Sequence, residues 1–153
     1  MISKTFLVAG RATFTTQPAQ KYIDANAQAG VEVKPHYTFR ISRKEASGEF
    51  QEAWFVSLLT GQDNEHDYTY LGILDISSGS VRLTAKSAYK ADSQPVRILQ
   101  RILGRIWMDE SQIIEQAGWK VQHEGKCGRC GRTLTTPVSL ELGIGPECAK
   151  MAA

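Results

Sequence analysis

The three cysteines of this 153-residue chain all lie near its C-terminal end, at Cys127, Cys130 and Cys148, the first two as Cys-Gly-Arg-Cys. The stretch around them, HEGKCGRCGRTLTTPVSLELGIGPECAK from His123 to Lys150, is polar and glycine-rich. A segment of that composition buries too little apolar surface to offset the entropy of ordering its own backbone. A metal ion supplies the missing cross-link. Two thiolates three positions apart can grip one ion if the backbone between them turns tightly, and Gly128 and Gly131 permit that turn. Zinc takes four ligands in a tetrahedron, so Cys148 is the third. His123, four residues before Cys127, is expected as the fourth, giving a Cys3His set with the spacing H-x3-C-x2-C-x17-C. Glu147, Glu124, His66 or a residue of another chain stand as alternatives for that position.

The surroundings fit a closed, structural Zn2+ site. Gly145-Pro146-Glu147-Cys148 reads as a loop entering a short helix, where the local dipole favours a thiolate. A knuckle paired with a cysteine at a helix start has the outline of a truncated treble clef, with LTTPVSLELGIG looping back between the two. A redox Cys-x-x-Cys normally follows a strand in a βαβ setting, and none is visible. A deaminase pattern, His-x-Glu followed by Pro-Cys-x-x-Cys, is missing. Catalytic zinc needs an open position and a general base, for which Glu124 and Glu147 qualify by residue type only. With no nucleophile–base pair or phosphate loop in the chain, an enzyme is not expected.

The tail CGRCGRTLTTPVSLELGIGPECAK resembles a small zinc-binding domain family of unknown function found in phage and prophage proteins. The pattern runs through Cys127, Cys130, Gly131, Arg132, Leu134, Pro137, Ser139, Gly143, Ile144, Gly145, Pro146, Glu147, Cys148 and Ala149. The resemblance implies zinc and a phage setting, and carries no biochemical activity with it. The stretch from WFVSLLTGQDN to YTYLGIL is also similar to the region that precedes this domain in some phage proteins.

Upstream, the sequence reads as an α+β fold, a mostly antiparallel sheet with one amphipathic covering helix. TFLVAG, RATFTT, HYTFRISR, AWFVSLLT, YTYLGILDI and VRLTAKS read as short strands joined by turns. In HYTFRISR, Tyr37, Phe39 and Ile41 alternate with Thr38, Arg40 and Ser42, the period of a half-buried strand. QKYIDANAQAG reads as a helical turn or a loop. From Pro95 to Trp107 the apolar period changes to that of a helix, with Val96, Leu99, Leu103 and Ile106 on one side and Ser93 or Asp92 as N-cap. DESQIIEQAG reads as a second short helix stopped by Gly118. Two units follow: residues 1–118, the sheet with its helix, and residues 119–153, the zinc module.

Charge is uneven along the chain. Residues 1–81 carry 7 Lys and Arg against 9 Asp and Glu, whereas residues 82–132 carry 10 against 5. Arg97, Arg101 and Arg105 form one stripe of the helix, and Lys126, Arg129 and Arg132 surround the knuckle. These six are the expected contacts for nucleic acid, DNA or RNA. Tyr37, Phe39, Trp54, Tyr68 and Tyr70 read first as core and secondly as base-stacking groups. The alternative partner is a host protein, such as a defence nuclease or a polymerase, met by the acidic tip Asp63, Glu65, His66 and Asp67. The apolar runs are too short to cross a bilayer, so no membrane partner is expected. The N-terminus, MISKTFLVAGRATF, lacks the features of a signal peptide, and an odd cysteine count argues against a disulfide framework. A cytoplasmic location follows as the expectation, that of the host cell for a phage protein.

Overall fold

The alternating residues of Tyr37–Lys44 set the architecture. Tyr37, Phe39 and Ile41 are buried on one side of the strand, as the period-two pattern requires. In the computed structural model, which describes residues 2–152, this strand (β2) lies within a six-stranded antiparallel sheet of order β5-β4-β3-β2-β1-β6. The other strands are β1 (Arg11–Gln17), β3 (Ala53–Leu59), β4 (Tyr68–Leu74), β5 (Val81–Arg82) and β6 (Lys120–His123). A register shift between Val56 and Ser57 in the β3–β4 pair leaves Leu71 as the extra residue and helps curl the sheet.

One face of the sheet is apolar. Ala12, Phe14, Phe39, Ile41, Val56 and Leu58 lie there, all buried. The long helix Gln94–Trp107 (α3) covers them with Val96, Ile98, Leu99, Ile102, Leu103 and Ile106. Pro95 occupies the first turn, where its missing N–H costs nothing, and Ser93 precedes the helix without capping it through its side chain. The following Ser111–Gln116 (α4) buries Ile114 and packs against α3. QKYIDANAQ is helical, as Gln20–Gln28 (α2).

Two segments depart from expectation near the N-terminus and after α4. TFLVAG is not a strand: Lys4–Leu7 form a short helix (α1), nucleated by the Ser3 hydroxyl, which accepts from the Phe6 N–H. Its Phe6 and Leu7 are fully buried, so the apolar run is satisfied by insertion into the core instead of by pairing. Lys120–His123, which has a single interior apolar residue in Val121, forms the edge strand β6 on β1. The expected boundary at residue 118 therefore falls before a strand of the main sheet. VRLTAKS contributes only the two residues of β5.

Beyond β6, Lys126 bridges Thr133 around the knuckle. The helices Pro137–Leu142 (α5) and Pro146–Ala152 (α6) follow. The loop expected between knuckle and final helix is thus itself helical. Thr136 and Ser139 cap α5 reciprocally, and Gly143 closes it at φ 74°.

Phe6 joins this end to the sheet. A Cβ on Gly128 would lie 2.5 Å from its ring, and one on Gly143 would lie 2.8 Å away, so both positions admit only glycine without rearrangement. The His123 ring flanks it at 5.7 Å between centroids. Replacing Phe6 by Ala should cost about 3–5 kcal/mol through lost transfer energy and the cavity left behind. Urea unfolding of the two proteins checks this, and metal retention by the C-terminal segment should weaken in the same variant.

Candidate metal centre

Cys127 follows the edge strand after a three-residue link that bends at Gly125, Cys130 lies across the knuckle, and Cys148 occupies the first turn of α6. Their sulfur atoms all lie within 4.8 Å of one another. Cys127 is buried, Cys148 half-buried and Cys130 exposed. The Cys127 sulfur accepts from the N–H groups of Gly145, at 3.3 Å, and Arg129, at 3.4 Å. The Cys127 N–H donates to the Arg132 carbonyl and the Gly131 N–H to that of Cys127, fixing the tight turn. Burial pushes the Cys127 thiol up, and backbone N–H groups of Gly145, Cys130 and Arg129 more than offset it, leaving the group at about 7. Burial and the neighbouring Cys130 and Cys127 sulfurs push Cys148 the other way, above the ordinary thiol value. Three sulfurs this close cannot all ionise unless a cation sits among them. The cluster can bind a metal ion.

His123 does not join the sulfurs. Its Nδ1 accepts from the Gly125 N–H at 2.9 Å and its Nε2 hydrogen-bonds the Leu140 carbonyl. Both ring nitrogens are occupied, and the described metal-ligating group consists of the three cysteines. The imidazole would have to release α5 to become a ligand. The spacing argument missed this because β6 turns the ring toward α5 and Phe6. Glu147 is highly exposed at the start of α6. Glu124 takes the Thr15 hydroxyl on the sheet, and His66 pairs with Asp63 at 2.9 Å. A cavity of about 450 Å³ opens beside the sulfurs, bounded by Leu134, Thr136, Ser139, Glu147 and Met151.

The six expected nucleic-acid contacts fall into two groups. On α3, Arg101 lies over the rings of Tyr22 and Trp119, at 5.1 and 5.9 Å, and Arg105 pairs with Glu110 at 3.0 Å. Among the described residues, Arg97 has no ion-pair partner. Around the knuckle, Lys126 pairs with Glu65, Arg129 reaches the Met151 sulfur, and Arg132 is exposed without an ion-pair partner among the described residues. Arg11, which the sequence did not single out, also belongs here. Its N–H donates to Gly128 and its guanidinium meets Glu65 at 3.5 Å.

Of the acidic tip, Glu65 reaches back to the body of the protein, whereas Asp63, His66 and Asp67 are exposed. Glu65 is shared by Lys126, Arg11 and Arg40. The hydrogen bond from Lys126, together with these charges, holds its carboxyl below the usual range. Asp63 is lowered by the Glu65 N–H and by His66. Of the aromatic residues, Tyr37 and Phe39 are core, the Trp54 indole donates to the Val8 carbonyl, and Tyr70 shares a hydrogen bond with Thr84. Tyr68 lies under the Arg40 guanidinium at 4.0 Å.

Comparison with known proteins bears on this end of the chain. Residues 120–151 match a family of unknown function, DUF6011. The match begins at β6 and takes in the knuckle, all three cysteines and both terminal helices, about a fifth of the chain. No curated protein and no solved structure matches the sequence.

Two substitutions separate the ligand sets. His123→Gln should retain one metal ion per chain, whereas Cys130→Ser should lose it. Metal analysis of the purified variants by mass spectrometry reads both, and loss of metal in His123→Gln would return the imidazole to the ligand set.

Proposed function

We propose that the chain is a small accessory binding protein in which Zn2+, held by Cys127, Cys130 and Cys148, makes the C-terminal segment a rigid platform for nucleic acid. The observation that carries this is the approach of the three sulfurs to within 4.8 Å around a turn built from N–H···S bonds. Soft thiolates select zinc over the hard divalent cations. The fourth position falls to water or to a group outside the cysteine set. When bound, the ion supplies folding energy, about 10–16 kcal/mol in isolated finger peptides. The chain's own residues do the binding. Arg129 and Arg132 project from the clamped knuckle, and Lys126 joins them at the cost of its pairing with Glu65.

The arginines of α3 carry less of this reading, since Arg101 and Arg105 already have partners in the fold. The phage setting comes from the sequence resemblance, and a cytoplasmic location from the free cysteines; both belong to the proposal.

A protein partner is the second reading, favoured by one observation. Val138, Leu142 and Met151 are each more than half exposed on the two terminal helices. Exposed apolar side chains on the helices that flank the cysteines suit a protein contact better than does the acidic tip, whose Glu65 is engaged internally. A partner that co-purifies from nuclease-treated lysate, and is lost on Val138→Ser with Leu142→Ser, would favour it.

For the first reading, three phosphate contacts give an affinity that falls about 20–40-fold between 50 and 200 mM salt. Arg129→Gln with Arg132→Gln should flatten that slope toward a single contact while the metal is retained. Fluorescence anisotropy with labelled single- and double-stranded oligonucleotides measures it, and salt-independent or undetectable binding would refute nucleic acid as the partner.

A further inference from the structure

On β1 and β2 the sheet's second face is polar, whereas on β3 and β4 it carries Phe55, Leu59 and Tyr70. Thr13, Thr15, Thr38 and Arg40 lie there on β1 and β2, with Leu59 and Tyr68 beside them. The loop between β3 and β4 folds over this face: Arg40 donates to the Asn64 and Glu65 carbonyls, and Lys126 closes the other side through Glu65. Between them is a cavity of about 520 Å³. A second cavity of about 620 Å³ shares His36, Thr38 and Leu59 with it and is bounded by Lys34, Pro35, Tyr89 and Pro95.

Tyr68 reports on what the first cavity takes. Its hydroxyl oxygen is buried and has no hydrogen-bond partner among the described residues. Leaving such a group unpaired is costly, so the hydroxyl calls for a partner that the described residues do not supply. The phenol feels the charges of Arg40, Glu124, Glu65 and Lys126, and burial holds it above its ordinary pKa, so at neutral pH it is a donor. Arg40 uses only part of its five N–H groups on Thr13 and the loop. The charged side chains lining the cavity are Arg40, Lys126 and Glu124, one positive charge in excess. Donors and charge both ask for an oxyanion. The adjoining cavity, walled by prolines and tyrosines, suits a flat, weakly polar group.

We propose that the cleft between the open sheet face and the knuckle binds a nucleoside phosphate, with phosphate oxygens on the Tyr68 hydroxyl, Lys126 and Arg40 and the base toward Pro35 and Tyr89. Glu65 competes with the phosphate for the same cations. The site is distinct from Arg129 and Arg132 of the knuckle, so it stands whether or not the chain binds nucleic acid.

Isothermal titration of the full, metal-loaded chain with adenosine 5′-monophosphate, cytidine 5′-monophosphate, adenosine and inorganic phosphate tests it. At least one nucleotide should bind saturably, at least tenfold tighter than adenosine or phosphate alone. Tyr68→Phe should weaken that binding tenfold or more while raising Tm, because it deletes the orphaned hydroxyl. Glu65→Gln, which releases the cations, should tighten it. Arg129→Gln with Arg132→Gln should leave it unchanged, which separates this site from the knuckle contact. Equal binding by Tyr68→Phe and the parent chain, or no binding of either nucleotide at millimolar concentration, would overturn the proposal. Binding of a short single strand without either mononucleotide would overturn it in favour of a path for polymer only.

Discussion

Three sulfurs within 4.8 Å of one another repel as thiolates and gain little as thiols, because the bed of N–H groups under Cys127 favours the charged form. A cation resolves that conflict, and the segment around it has few other resources. Its buried residues are Cys127, Gly128, Leu134, Ser139, Gly143 and Ile144, scattered between exposed ones. A metal ion there would add one local electrostatic cross-link to a segment with few buried residues, whereas the sheet and α3 rest on distributed apolar burial.

The two regimes meet at β1. This strand pairs with β2 on one side and β6 on the other, and its first residue, Arg11, donates to Gly128 of the knuckle. The sheet end and the metal end are therefore neighbours through backbone hydrogen bonds, not through a linker. The same arrangement brings Lys126 to the rim of the polar cleft, where the β3–β4 loop and the knuckle share Glu65.

Local patterns in the sequence announced the parts with local causes. The alternation of Tyr37, Phe39 and Ile41, the helical stripe from Val96 to Ile106 and the three-cysteine grouping all stand in the structure where their spacing puts them. What stayed hidden depends on contacts far apart in the chain. Lys120–His123 has too little apolar periodicity to read as a strand and becomes one because β1 offers an unpaired edge more than a hundred residues upstream. Phe6 and Leu7 read as strand residues because burial alone does not say whether a short apolar run pairs or plugs. His123 sits at ligand spacing from Cys127, yet α5, which reads as a loop, provides the carbonyl that holds its ring. The inward fold of Glu65 likewise needed the cations of three separate segments, Arg11, Arg40 and Lys126.

The seating of Phe6 against Gly128 and Gly143 makes the chain's first helix a wedge under the metal-bearing turn. Occupancy at one end and protection at the other would then be two readings of a single equilibrium: an ion held by the sulfurs would slow amide exchange in Lys4–Leu7, and loosening that helix would speed release of the ion.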